Sequence, residues 1–277
     1  MTTPKGSVLV TGGTSGIGAA CVELLLESGY GAWVVSRRAH GSRPGLRSLA
    51  LDVGQADVAA IIERERPGVE DELGPLVGFV HSAGLVDVLG VLEGADPARR
   101  AAAEAIHDRA MQVHFHGARR IAEALLPGFV RDQRGTVVLI DSAAGLRGFP
   151  GIAAYAAAKH ALLGWARCAA LEMPRGVSIT SVCPYYVATP MLETAIEQRA
   201  SETGETSLVA RAAFRSRNPG GRFVEPEDVA SLALELVAGD PAANNGRVIV
   251  LDGGARRDLP ERQEPGLDLP ISPQSLS

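Results

Sequence analysis

Short apolar runs that do not alternate with polar residues recur along this 277-residue chain, and most are separated by stretches with helical spacing. Ser7–Thr11 (SVLVT), Gly31–Ser36 (GAWVVS), Leu49–Val53, Leu76–Ser82 (LVGFVHS), Thr136–Ser142 (TVVLIDS), Val177–Cys183 and Arg247–Leu251 (RVIVL) read as strands. A strand apolar on both faces is buried on both faces, as in a parallel sheet covered by helices. Gly16–Ser28, Gln55–Glu65, Pro97–Leu126, Ala153–Glu172 and Pro226–Ala238 read as those helices. The pattern predicts an α/β fold, a doubly wound parallel sheet of about seven strands with helices on both faces. Hydrophobic residues make up 46% of the chain, enough for a large core.

The turn between the first strand and the first helix is Thr11-Gly12-Gly13-Thr14-Ser15-Gly16-Ile17-Gly18. Glycines permit a tight turn and a close approach of backbone N–H groups to a pyrophosphate, and the helix that follows adds unpaired donors and a positive dipole end. A glycine-rich turn alone is a weak signal. After an opening strand and before a helix, it marks a dinucleotide site. The second strand ends at Ser36, where an acid that holds the ribose hydroxyls of NAD is expected. Arg37 and Arg38 follow instead, and a guanidinium grips a 2′-phosphate with paired, charge-assisted hydrogen bonds. The sequence therefore predicts NADP(H), with NAD(H) the less favoured cofactor. Two roles fit Asp52, which precedes Val53: acceptor from an adenine amino group, or cap of the next turn.

The net charge of −5 argues against a general affinity for nucleic acid. Cys21, Cys168 and Cys183 show no paired or metal-ligand spacing and read as buried free thiols in a reducing compartment. Met1–Lys5 is too short and polar for a signal peptide, and no run approaches the ~18 apolar residues of a membrane span. A cytoplasmic location and no membrane partner are expected. Residues 1–254 are expected to form one dinucleotide-binding and catalytic domain, with 188–222 a helical lid over the substrate. Residues 255–277, rich in Pro and charge, are expected to be an extended or disordered tail.

Tyr155-Ala156-Ala157-Ala158-Lys159 places a phenol and an ammonium on one helix face. Ser142 ends a strand thirteen residues before Tyr155. A phenol titrates near ~10 in water, so proton exchange at neutral pH needs a neighbouring cation that favours the tyrosinate. Tyr-x-x-x-Lys by itself is common, but with the glycine loop and an upstream Ser it points to hydride chemistry on a carbonyl.

In these residues, together with Leu251-Asp252-Gly253-Gly254, the chain from about Ser7 to Gly254 resembles the short-chain dehydrogenase/reductase family in its compact branch. The resemblance implies a Rossmann-like fold and hydride exchange between a nicotinamide and a secondary alcohol or ketone. It further implies Tyr155 as acid/base, Lys159 lowering its pKa and holding the ribose, Ser142 steadying the substrate, and a homotetramer or homodimer built on the long helices. Ala154, Ala158 and Ala161 would permit such close helix contact, and plain core packing explains them equally well. The implied cofactor-binding positions are Gly12, Thr14, Ser15, Gly16, Ile17, Gly18, Ser36, Arg37, Arg38, Asp52, Val53, Ser82, Ala83, Gly84, Tyr155, Lys159, Pro184, Val187 and Thr189.

Three departures from the family pattern stand out. His81-Ser82-Ala83-Gly84 replaces Asn-Asn-Ala-Gly beside the adenosine. His114 replaces an Asn that fixes a water near the Lys, and is either a replacement proton relay or a packed core side chain. Tyr185 replaces a Gly beside the nicotinamide. Leu146, Phe149, Ile152, Tyr185, Tyr186, Met191 and Leu192 are expected around the substrate, which favours a neutral ketone or secondary alcohol. A carboxylated ketone or 3-oxoacyl thioester held by Arg147 or the basic stretch Arg211–Arg222 is the second possibility. A non-catalytic NADP-binding redox sensor and a hydratase or isomerase are the readings from other classes; the sensor has no need of Ser142, Tyr155 and Lys159 together.

Overall fold

The computed structural model describes residues 5–41 and 43–259. In chain order the first half comprises β1 (Ser7–Thr11), α1 (Gly16–Glu27), β2 (Gly31–Ser36), β3 (Leu46–Ala50), α2 (Val58–Leu73), β4 (Leu76–His81), α3 (Val91–Gly94) and α4 (Arg100–Ala110). A π-helical segment, Met111–Gly117, runs without a break into α5 (Ala118–Arg131), and β5 (Gly135–Ile140) follows. Then come a single turn at Ala143–Gly145, α6 (Ala153–Leu171), β6 (Val177–Pro184), α7 (Pro190–Thr203) and α8 (Ser207–Arg215). The chain closes with α9 (Pro226–Ala238), α10 (Pro241–Asn244), β7 (Val248–Leu251) and β8 (Arg256–Leu259).

The strands lie in the order β3-β2-β1-β4-β5-β6-β7-β8, parallel except for β8. Alternate side chains of the same strands feed two cores. Val8, Val10, Val34, Val138 and Ile249 pack under α1 and α9, whereas Leu9, Trp33, Phe79, Val137 and Leu139 pack under α2, α5 and α6. This two-sided burial is the reason the strand sequences lack polar alternation. No helix among the described residues is long and apolar enough to cross a membrane.

Several expectations need correction. The sheet has an eighth strand, because Arg256–Leu259 of the expected tail pairs antiparallel with β7. Its side chains are all exposed, and Arg256 pairs with Glu235 at 2.6 Å, so it is a charged, blunted sheet edge. The remainder of that tail, 260–277, lies outside the described residues. β3 runs from Leu46 to Ala50 rather than Leu49 to Val53; as the opposite edge strand it buries only Leu46 fully, so an apolar run was a poor guide to its position. α2 and α5 continue past Pro67 and Pro127, because Val69, Leu73 and Phe129 beyond the prolines bury fully enough to offset one lost backbone hydrogen bond.

Ala154 and Ala158 are buried against Ala110 within the chain, so core packing accounts for those two small residues. Cys168 is exposed, contrary to expectation, because it sits on the outer face of α6, whereas Cys21 and Cys183 are buried. Burial pushes the Cys21 thiol up to about 12, which leaves almost no reactive thiolate. A disulfide-exchange reagent is therefore expected to titrate one thiol quickly in the folded protein and the other two only in denaturant. Rapid loss of two or more thiols under native conditions would contradict this packing.

Candidate active site

The strand order reverses between β1 and β4, so their carboxyl ends open a crevice, the place where doubly wound sheets take their ligands. The Thr11 hydroxyl holds the two strand ends together. It lies 2.9 Å from His81 Nδ1 and accepts from the backbone N–H groups of Ser82 (3.2 Å) and Ala83 (3.3 Å). Burial lowers the His81 pKa to about 3, so the ring is neutral and its bare Nδ1 accepts from the Thr11 hydroxyl. His81 thus ties the Ser82-Ala83-Gly84 turn to the glycine loop.

That loop needs its glycines. Gly12 (φ +70°) and Gly16 (φ +53°) occupy left-handed backbone, a Cβ on Gly12 would lie 2.8 Å from the Ala83 nitrogen, and one on Gly18 would lie 2.4 Å from the Gly12 carbonyl oxygen. Ser15, exposed, precedes α1 with no side-chain cap, and no acid occupies the first turn, so the amides of Gly16, Ile17 and Gly18 are suited to an anion. Thr14 is half-buried beside them. At the end of β2 the buried Ser36 hydroxyl donates to the Arg38 carbonyl, and Arg37 and Arg38 extend outward with no carboxylate partner among the described residues. Asp52 accepts from the Gly54 N–H at 2.9 Å and therefore caps the turn, while Val53 is buried. Thr189 lies against Gly16 from the opposite wall. It caps α7 by accepting from the Leu192 N–H at 3.4 Å, and Pro184 and Val187 are buried behind it.

Ser142, Tyr155, Lys159 and His114 converge at the end of β5. Lys159 is buried, donates to the Ile140 carbonyl at 2.7 Å, and holds its Nζ 5.7 Å from the Tyr155 ring centroid. The Ser142 Oγ accepts from the Ala144 N–H at 3.1 Å, which leaves its proton to donate. The Tyr155 pKa is raised, not lowered: burial dominates, the adjacent Ser142 hydroxyl opposes it, and the negative potential of Asp141 adds to the rise. Lys159 is pulled down by burial and lifted by Asp141.

His114 lies within the π-helical segment, a geometry that concentrates at functional sites. Its ring packs edge-on to Tyr155 with centroids 4.9 Å apart, and its Nε2 donates to the Leu85 carbonyl at 2.7 Å. Burial holds its pKa well below the usual histidine range, so it is neutral. A Cβ on Gly84 would lie 2.8 Å from the His114 Cε1, so the small residue of one departure makes room for the large residue of another.

Leu146, Phe149, Ile152, Tyr185 and Tyr186 are half-buried and Met191 is exposed. Leu192 is instead buried with Ile196 and Ala210 inside the α7–α8 pair. The Arg147 guanidinium lies over the rings of Phe149 (4.7 Å) and Tyr185 (5.3 Å). Asp141 escaped the sequence reading. Its signal was a carboxylate directly before Ser142 at the end of an otherwise apolar strand.

The family profile described as short chain dehydrogenase matches residues 6–200. The chain is 32% identical over 256 residues to 2-(S)-hydroxypropyl-CoM dehydrogenase 3 of Xanthobacter autotrophicus, covering 89% of this chain and 95% of that one. It is 30% identical over 249 residues to a 3-oxoacyl-[acyl-carrier-protein] reductase of Mycobacterium tuberculosis, covering 90% and 92%. A solved variant of actinorhodin polyketide ketoreductase with NADPH superposes with a TM-score of 0.77 at 26% identity, covering 91% of this chain and 98% of that one. With a doubly wound sheet, a glycine loop at its switch point and these relatives, the chain belongs to the short-chain dehydrogenase/reductase family of oxidoreductases.

Proposed function

We propose that the protein is an NADP(H)-dependent oxidoreductase that interconverts a secondary alcohol and a ketone. The observation that carries this reading is the convergence of Ser142, Tyr155 and the buried Lys159 beside the crevice lined by the glycine loop. When bound, the nicotinamide supplies or accepts the hydride, and its oxidised form adds a positive charge. The amides at the start of α1 hold the pyrophosphate, Arg37 and Arg38 the 2′-phosphate, and Thr189 the carboxamide. Ser142 donates to the substrate oxygen and keeps the carbonyl oriented. Tyr155, whose proton is firmly held by burial, donates it to that oxygen as charge develops there. In the reverse direction Lys159 favours the tyrosinate that removes the alcohol proton. His114 acts through position: neutral and bonded to Leu85, it braces Tyr155 from the side. Assembly into a homotetramer or homodimer and a cytoplasmic location belong to the same proposal.

The apolar lining favours neutral ketones. A second reading is favoured by Arg147, which is exposed, stacked on two aromatic rings and without a carboxylate partner among the described residues. Stacking orients the guanidinium plane and presents its edge to an anion, so a carboxylated ketone or an acyl thioester carrying a distant anionic group also fits.

For cofactor choice, kcat/KM is expected to be at least tenfold higher with NADPH than with NADH, since paired charge-assisted hydrogen bonds contribute roughly 1.5–3 kcal/mol each. Arg37→Asp should erode that ratio mainly through KM, and equal values in the wild type would sink the assignment. For the chemistry, Tyr155→Phe should leave NADPH affinity nearly unchanged and abolish turnover of a panel of cyclic and medium-chain ketones. Retention of more than about 10% of kcat would remove Tyr155 as the acid. For the substrate, matched ketones with and without a carboxylate should be compared in wild type and Arg147→Ala. A tenfold preference for the acid that disappears in the variant decides for the second reading.

A further inference from the structure

Asp141 is about 3% exposed, and among the described residues neither of its carboxylate oxygens has a hydrogen-bond partner. Native interiors seldom leave a carboxylate so, because an unpaired buried anion costs several kcal/mol. Its position is fixed by β6 on one side and by the Ala143–Gly145 turn and α6 on the other. The backbone N–H of Asp141 donates to the Val182 carbonyl at 2.7 Å, which locks it against β6. A Cβ on Gly145 would lie 2.8 Å from Asp141 Oδ1 and 3.2 Å from the Lys159 carbonyl oxygen, so the carboxyl is wedged between the Ala143–Gly145 turn and α6.

The charged and titratable groups that bear on it are Lys159, with His160 and Arg167 further along α6, Tyr155 on the same helix, and Cys183 on β6. Of these, Lys159 is the buried cation. Among the described residues its side chain makes one hydrogen bond, to the carbonyl of Ile140, the residue before Asp141.

We propose that Asp141 is a positioning residue, a buried counter-charge that keeps Lys159 protonated and sets the pH range in which Lys159 and Tyr155 work as a pair. This inference rests on the oxidoreductase reading above. The carboxyl acts through the field it imposes on Lys159 and Tyr155. Its own titration lies in the working range. Burial raises it to about 7 against the pull of Lys159, so it passes from neutral to charged across physiological pH. As an anion it favours the protonated forms of both neighbours, Lys159 as ammonium and Tyr155 as phenol, and so extends ketone reduction to higher pH.

The sign of the linked stability follows. Asp141 titrates near ~3.9 in the unfolded chain and near 7 in the fold, so the native state binds its proton more tightly. The fold is unburdened below about pH 4 and progressively destabilised as pH rises to about 7, beyond which the penalty is constant.

The test compares wild type, Asp141→Asn and Asp141→Ser, the serine variant serving as the smaller neutral side chain if the amide packs badly. Thermal unfolding of each protein is followed from pH 4 to pH 9 without ligand, and NADPH-dependent reduction of the best ketone of the panel is followed over the same range. At least one variant should gain in Tm over wild type as pH rises from about 4 to about 7, with no further gain above. Its alkaline limb of kcat should move to lower pH by about one unit, because losing the anion lowers both the Lys159 and the Tyr155 pKa. A Tm difference that is constant with pH in both variants, or an alkaline limb that stays in place, overturns the proposal. A purely structural role would change Tm by a fixed amount and leave the limb unmoved. Because the Tm series needs no turnover, an inactive wild type would refute the oxidoreductase reading while the series still reports on Asp141.

Discussion

The buried ammonium of Lys159 is the constraint to which the centre of this molecule is fitted. A cation removed from water costs several kcal/mol unless its surroundings answer it. Here the answer is the carbonyl at the end of β5 and the carboxyl of the residue after it. The last residues of that strand therefore serve the site as well as the sheet. The same few residues carry Ser142 on the next position, so strand end, hydroxyl and countercharge arrive together, and α6 must lie where Lys159 meets them. Tyr155, one turn earlier on α6, is thereby held beside Ser142 and edge-on to His114.

How much of this was legible in the sequence depends on whether a residue's role is local. The glycine loop could be read because Gly12, Gly16 and Gly18 answer to backbone geometry within one turn, and the structure finds positive φ or a close backbone contact at each. Central strands could be read because both faces are apolar. Edge β3 could not, since only Leu46 is fully buried, and the run chosen for it lay three residues too far along. The helices read as ending at Glu65 and Leu126 run on through Pro67 and Pro127 to Leu73 and Arg131, because tertiary burial of Val69, Leu73 and Phe129 outweighs the low helix propensity of proline. The π-helical Met111–Gly117 segment has no periodicity signal of its own. Its local cue is Gly117, where a Cβ would lie 2.5 Å from the Val53 carbonyl oxygen, a contact between elements far apart in sequence.

The two histidine departures have a common physical logic. Each places an imidazole where burial forces it neutral, and each uses a ring nitrogen to pin the segment after β4, His81 through Thr11 and His114 through Leu85. An imidazole in this state offers one donor and one acceptor at fixed angles, fewer than the two N–H donors and two-lone-pair oxygen of an amide side chain. The larger ring needs space, and Gly84 provides it beside His114. A proton relay through a titrating His114 does not fit such a ring, whereas bracing of the Ser82–Leu85 turn does. The two histidines thus hold the wall of the crevice through ring nitrogens.

Tyr185, just after β6, packs against the β5–α6 loop. A glycine at this position would leave open space, but the tyrosine packs with Leu146 over Leu163, Cys183 and Val250 and offers its outer face to Arg147. Phe149 takes the other contact to the same guanidinium and meets Tyr186 at 6.3 Å, and Tyr186 meets Phe214 of α8 at 5.2 Å. At the far end Arg217 lies 5.4 Å from the Phe214 ring and donates to the Tyr186 hydroxyl at 3.4 Å. Although aromatic residues are only 4% of the chain, Phe149, Tyr186 and Phe214 form one run of ring contacts from the β5–α6 loop to α8, which Arg147 joins to Tyr185 on one side and Arg217 closes on the other. Stacked rings lose little conformational entropy when a ligand arrives, and arginines resting on them are less hydrated than free ones. Such a wall presents shape along its length and positive charge at Arg147 and Arg217.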